Sequence, residues 1–279
     1  MEIRLATTAE RLEYSERVYP LQDLVLDAVA RSEADLVLTG GTALSRIYFS
    51  HRLSEDLDFF TTAEDVRPYA RDLSARLSVR GVLVEPERTM PGFVRLYAVR
   101  DDVRLKLEII FDPHRVEAPE RSESGYLVDT LRDIGANKIG AFEDRGEVKD
   151  VIDLYYLSRA LGWDRLFEDA EAKRVPIAYE DLQHVLDTPL RGAALLLEPI
   201  APDAIERFAK EVRDRVALEI KKKVALWQTR IPDLVADLLW DTPRELRTLT
   251  DANREVVLRR ARGLSLPKRL ALETIAKQG

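Results

Sequence analysis

Apolar positions recur at helical spacing over about residues 8–31, where Leu12, Val18, Leu21, Leu24, Val25, Ala28 and Val29 fall at mixed steps of three and four. This pattern predicts an amphipathic helix, interrupted at Pro20, whose ring removes a backbone donor and crowds the preceding turn. A short apolar run at about 35–38 predicts a strand. The Gly40-Gly41 pair after it predicts a sharp turn, because residues without a Cβ tolerate backbone conformations closed to others. A helix is expected over about 42–49, then a polar link, then a second strand carrying Asp56 and Asp58.

Thr61 or Thr62 as a cap, with Glu64 and Asp65 in the first turn, predicts a helix over about 66–78, closed by Gly81. Strand-like runs follow at 82–85, 93–99 and 103–111, with turns at Pro91-Gly92 and Asp101-Asp102; the last two runs are expected to form a hairpin. Pro113 and Pro119 mark a linker. Beyond it alternation almost vanishes, and helical spacing appears at about 127–142, 149–161, 163–173, 179–186, 203–227, 231–239, 242–250, 254–262 and 267–277. Within the longest of these, Ile205, Phe208, Ala209, Val212 and Val216 make an inward stripe. There is no internal repeat and no low-complexity tract.

Successive side chains of a strand alternate between faces, so Asp56 and Asp58 can reach one point from one edge of a sheet. Oxygen donors of this kind suit hard divalent cations such as magnesium. Gly40 and Gly41 sit just before a helix, where unpaired N–H groups and the positive end of the dipole favour phosphate. Each half is weak alone: a glycine pair is usually an ordinary turn, and two spaced aspartates are usually solvated surface.

In 104–111, Arg104, Lys106, Glu108 and Ile110 share one face and Leu105, Leu107 and Ile109 the other. Glu108 either pairs with Lys106 on a solvated face or joins Asp56 and Asp58 as a third metal carboxylate. Lys138 lies among Ile134, Ala136, Ile139 and Ala141, neighbours small enough to leave room for a ligand. Asp150 and Asp153 fall three apart on the following helix and share a face. Structural roles are open for these too: Lys138 as a surface lysine with a buried stem, Asp150 as a helix cap.

The stretch GGTAL followed by HRLSEDLDFF, with RGEVKDVIDL further on, resembles the AbiEii/AbiGii-type nucleotidyltransferase toxins, MenT-like members of the DNA polymerase β-like superfamily. The resemblance covers about 36–157. It implies an α+β fold: a polymerase β-like mixed sheet with flanking helices over 1–118, then a helical domain over 119–279 that completes the active site and could bind the acceptor. It further implies transfer of a nucleoside monophosphate from an NTP, with pyrophosphate released. Asp56, Asp58 and Glu108 would hold magnesium or manganese. Gly40, Gly41, Thr42 and Ser45 would contact the β and γ phosphates. Lys138 would neutralise the triphosphate, and Asp150 would be the essential acid of the last motif, with Asp153 a second acid. Two features depart from the superfamily pattern. Residues 42–55 make a long spacer between Gly41 and Asp56, and Gly-Gly-Thr stands where Gly-Ser is common, leaving Thr42 to supply the hydroxyl. Relatives of this kind include toxins that add nucleotides to the tRNA 3′ end, so the expected partners are an NTP, an RNA acceptor (tRNA) and a cognate antitoxin, in a toxin-antitoxin or phage-defence system.

Composition narrows this picture without redirecting it. The absence of cysteine excludes disulfides, zinc thiolates and cysteine nucleophiles. His51, His114 and His184 are scattered. The amino terminus carries charges throughout and no stretch has the apolar length of a membrane span, so a cytoplasmic protein with no membrane partner is expected. Net charge is −7, but residues 204–279 hold 17 Lys and Arg against 11 Asp and Glu, giving +6 and leaving −13 on 1–203. Lys221, Lys222 and Lys223, and the group Arg259, Arg260, Arg262, Lys268 and Arg269, would suit a polyanionic acceptor, although basic faces of solvated helices read the same way. Other classes fit the same acids: a nucleotide-binding module without turnover, a DxD glycosyltransferase, a metal-dependent phosphohydrolase. A toxin acting only through a protein surface is a fourth.

Overall fold

The alternating run ending at Phe111 becomes a strand near the middle of a mixed sheet. The structure is a computed structural model that describes residues 2–184, 190–201, 203–244 and 247–278. Its strands are β1 (Glu2–Leu5), β2 (Val37–Thr39), β3 (Leu57–Thr61), β4 (Leu83–Met90), β5 (Phe93–Arg100), β6 (Val103–Phe111), β7 (Glu120–Arg121), β8 (Leu127–Val128) and β9 (Ala193–Leu196). Among the described residues, seven of them form one sheet in the order β4-β5-β6-β3-β2-β8-β7, while β1 and β9 pair in parallel as a separate two-stranded sheet.

One face of the large sheet is apolar because the sequence alternates in phase on neighbouring strands. Leu105, Leu107 and Ile109 of β6 pair in register with Ala98, Leu96 and Val94 of β5, and all six are buried. Leu57 and Phe59 of β3 continue the row against Leu107 and Ile109. Helices α1 (Thr8–Glu13), α2 (Tyr19–Ala30), α3 (Gly40–Ala43) and α4 (Arg67–Val79) come from the same half of the chain. α2 buries Leu21, Val25, Leu26 and Val29, α4 buries Leu73 and Leu77, and both pack on this sheet. Each such side chain contributes about 1.5–3 kcal/mol on leaving water. The opposite face keeps the polar members of the alternation, and that is where the candidate chemistry lies.

Pro20 does not break the first helical segment. The chain widens into a π-helical turn over Tyr14–Val18, and Pro20 then falls in the first turn of α2, where a missing N–H removes no bond of that helix. The run expected at 82–85 extends to Met90, with a register shift between Pro86 and Arg88; an edge strand tolerates proline because its outer N–H groups have no ladder partner. The helix expected from residue 127 begins at Leu131 as α5 (Leu131–Arg145), with Thr130 as its cap, while Leu127 and Val128 pair with β2. Strands of two to four residues such as β1, β7, β8 and β9 are too short to show a period.

Helices α6 (Val148–Leu161) and α7 (Trp163–Ala172) follow, then α8 (Tyr179–His184), α9 (Ala204–Gln228), α10 (Ile231–Leu238), α11 (Arg254–Ala261) and α12 (Leu266–Gln278). The chain divides into two compact units, Met1–Pro176 with Leu190–Ala201, and Ile177–Pro189 with Pro202–Gly279. In the second, Leu234, Val235, Leu239, Val257, Ala261 and Leu272 form a core. The stripe of α9 is buried at Phe208, Val212 and Val216. The helix expected over 242–250 includes 245–246, and that over 179–186 runs past His184; those positions lie outside the described residues. No helix among the described residues is long and apolar enough to cross a membrane.

Asp129, just after β8, is buried; its Oδ2 has no partner and its Oδ1 lies 3.4 Å from Arg115. Burial pushes this carboxyl up to about 6, against the pull of Lys173. The folded state therefore holds a proton that the unfolded chain releases nearer pH 4, so stability is full below that pH and falls as pH rises through 6. Asp129→Asn is expected to gain on the order of 1–3 kcal/mol at pH 7.5 and nothing near pH 4, read by urea unfolding at both values.

Candidate active site

A row of four residues crosses the polar face of the sheet. Thr39 of β2 is opposite Asp58 of β3, Asp58 is opposite Glu108 of β6, and Glu108 is opposite Arg95 of β5. Asp56 sits one residue before β3, at the same end. The structure thus sets Asp58 and Glu108 side by side in register, with Asp56 just before β3. Asp58 Oδ1 is buried without a hydrogen-bond partner, and burial, reinforced by the charge of Glu108, pushes its carboxyl up to about 6. Asp56 Oδ2 lies 2.9 Å from Lys106 Nζ. Glu108 Oε1 accepts from Arg95 Nε at 2.6 Å.

The glycine turn closes directly on this row. Gly40 has φ +71°, and a Cβ there would stand 2.6 Å from Asp58 Oδ2. A Cβ on Gly41 would run into Arg52 Nη2, which Asp153 holds in place. Both positions need glycine, one for conformation and close approach, the other for close approach alone. Thr42 Oγ1 hydrogen-bonds the Asp56 carbonyl and lies 2.9 Å from Ser54 Oγ. Ser45 Oγ donates to the Arg52 carbonyl at 2.9 Å. These two hydroxyls tie the turn to the link that leads into β3.

Helices α5 and α6 supply a buried ionic cluster. Asp153 receives Arg52 through Nε at 2.7 Å and Nη2 at 2.9 Å, His51 Nε2 at 2.8 Å and Lys138 Nζ at 2.7 Å. Lys138 also donates to Asp150 at 2.9 Å, as does Arg145. Burial alone would push the Asp153 carboxyl up, but Arg52 and Lys138 hold it well below the usual range. Burial likewise opposes the charge on Lys138, yet Asp153 and Asp150 raise its pKa. Burial lowers the pKa of His51, against the pull of Asp153.

Above these groups lies a cleft of about 510 Å³. Gly41, Thr42, Arg52, Asp56, Asp58, Lys106, Glu108, Lys138 and Arg145 line it, with Arg191 and β9 forming another wall. Gly40, Ser45, Asp150 and Asp153 are not among its lining residues. Sequence reasoning assigned no role to Arg52 or His51, although both stand in the motif HRLSEDLDFF; their shared partner Asp153 lies about a hundred residues away, where no local spacing can point to it.

The donor set fits a hard cation by its chemistry: carboxylates in register on adjacent strands, one of them with an unpartnered buried oxygen. Among the described residues, however, no three carboxylate or imidazole groups converge as a metal-holding cluster. Lys106 and Arg95 already occupy Asp56 and Glu108.

This mixed sheet with its flanking helices has the nucleotidyltransferase architecture, and a solved H. pylori protein shares it with a TM-score of 0.52 at 21% identity, over 75% of this chain and 96% of that one. The chain belongs to the family described as Nucleotidyl transferase AbiEii toxin, Type IV TA system, which it matches over residues 24–248. An uncharacterised protein of Aquifex aeolicus (strain VF5) is 34% identical over 140 residues, 47% of this chain, and the match spans 61% of that relative's length. MenT4, a nucleotidyltransferase toxin of Mycobacterium tuberculosis H37Rv, superposes with a TM-score of 0.47 at 16% identity, over 76% of this chain and 90% of its own.

Proposed function

We propose that the chain transfers a nucleoside monophosphate from an NTP to the 3′ end of tRNA, as the toxin of a toxin-antitoxin or phage-defence pair. The observation that carries the chemistry is the register pairing of Asp58 with Glu108 beside the Gly40 turn, on a cleft that also presents Arg52 and Lys138. Asp56, Asp58 and Glu108 would hold magnesium or manganese. The cation would neutralise phosphate charge and acidify the acceptor hydroxyl. Backbone N–H groups at Gly41 and Thr42 hold the phosphates, with Ser45 supporting the turn from behind. Lys138, set by Asp150 and Asp153, draws the β and γ phosphates toward the helical side. The acceptor hydroxyl gives up its proton to water, its oxygen bonds to the α-phosphorus, the bond to the bridging oxygen breaks, and pyrophosphate leaves with that oxygen. Residues 119–279 serve the reaction twice in this reading: α5 and α6 complete the cleft, and the basic helices of the second unit offer phosphate contacts to RNA. The protein would act in the cytoplasm, restrained by an antitoxin.

Incubation with each labelled NTP, magnesium and total RNA tests this directly. Label is expected in the tRNA band, with pyrophosphate released in equal amount. Label in protein or in another RNA would overturn the acceptor, and nucleotide hydrolysis without transfer would overturn the reaction. Reversing the charges of Lys221, Lys222 and Lys223 to Glu is expected to lower RNA affinity by roughly tenfold or more at low salt, since phosphate contacts dominate such binding. Unchanged affinity in a filter-binding titration would remove that surface from the reading.

A further inference from the structure

Lys106 stands two residues before Glu108 on β6 and shares its face. Its Nζ lies 2.9 Å from Asp56 Oδ2 and 3.9 Å from Glu108 Oε1, and Arg95 reaches Glu108 from the neighbouring strand at 2.6 Å. Of Asp56, Asp58 and Glu108, two are thus neutralised by the protein's own cations. The third, Asp58, keeps an oxygen with no partner. An ammonium group bonded to Asp56 and a divalent cation on the same carboxylate would repel each other at short range.

Resting on the nucleotidyltransferase reading above, we propose that Lys106 is an internal counter-ion that occupies the Asp56 carboxylate until a divalent cation arrives together with a triphosphate. Its side chain is about a quarter exposed, so it can swing away without opening the core. Free metal must break the Lys106–Asp56 pair and leave the ammonium unpaired, which weakens its binding. A metal–nucleotide complex brings phosphate oxygens that take over the ammonium, so the swap goes forward with little loss. Metal and nucleotide therefore bind with positive coupling, and linkage requires each to strengthen the other by the same factor. Arg95 stays on Glu108 from the strand behind and limits the negative charge left in an empty cleft.

The test uses the full chain and manganese as the probe, followed by its electron paramagnetic resonance signal. Without nucleotide, Lys106→Met is expected to bind manganese about tenfold more tightly than wild type, and Lys106→Arg, which keeps the charge, no more tightly than wild type. Binding of an NTP with a non-cleavable α,β-methylene bridge, measured with and without manganese, is expected to lose most of its metal dependence in Lys106→Met. Equal or weaker manganese binding by Lys106→Met would overturn the counter-ion role and leave the transfer reading intact. If neither wild type nor Lys106→Met binds manganese and neither transfers nucleotide, the transfer reading itself fails.

Discussion

Asp58→Asn is expected to reduce nucleotide transfer at least a thousandfold while leaving the metal-free protein more stable than wild type. The first effect follows from position. Asp58 lies between the Gly40 turn and Glu108, and an amide cannot hold a divalent cation as a carboxylate does. Losing roughly 4 kcal/mol of charge stabilisation in the transition state corresponds to about a thousandfold in rate. The second effect follows from burial. The Asp58 carboxyl is pushed up to about 6, so the charged form disfavours the fold wherever pH exceeds that value. Below about pH 4 both folded and unfolded chains are protonated, and the substitution should change nothing there. Above 6 the neutral amide is spared a penalty on the order of 3 kcal/mol. Thermal unfolding in a chelator should show Asp58→Asn melting several degrees higher at pH 7.5 and level with wild type at pH 4. Near-wild-type transfer by this variant would contradict the site, and a lower melting temperature at pH 7.5 would contradict the account of its burial.

Asp153→Ala is expected to be the most destabilising single change in the buried ionic cluster beneath the cleft, by about 3–5 kcal/mol. It leaves Arg52 without its bidentate partner, strips one of two carboxylates from Lys138, and removes the acceptor of His51. All three groups are buried, so water cannot replace what is lost without opening the structure. Asp150→Ala is expected to be milder for stability, because Lys138 keeps Asp153 and Arg145 is half exposed. For transfer the two are expected to be alike, since both misplace Lys138. Urea midpoints measured for the pair decide the matter: Asp150→Ala unfolding earlier than Asp153→Ala would mean that Asp153 is not the hub of the cluster.

The choice for Glu108 between a salt-bridge partner and a member of the acidic group was open at the level of spacing. In the structure Glu108 has a partner and also stands opposite Asp58, but the near partner is Arg95 of the adjoining strand, while Lys106 turns to Asp56. Strand alternation placed Lys106 and Glu108 on one face; it could not say which neighbour each would meet, since that depends on the register of β5 and β3 against β6. Lys138 had a local signal in the small residues around it. Its depth, and the two carboxylates that hold it, had none.

By itself the sequence determined what short-range physics controls: a glycine bend before a helix, carboxylates spaced so that a strand presents them together, an alternating run with charges on one face, and helical stripes after residue 119. These depend on steric limits and periodicity within a few residues, and they persist in the fold, with helix ends displaced where caps and short pairings intervene. Tertiary structure alone decided that Arg52 would lie against Gly41, that Asp153 would gather Arg52, His51 and Lys138, and that a strand at 193–196 would pair with the first residues of the chain and wall the cleft. The contacts of Asp153 with Arg52 and His51, and the pairing of 193–196 with the first strand, join positions about a hundred or more residues apart. What selects them is the demand that buried charges find partners in the packed protein, and no local pattern records which distant residue will meet it.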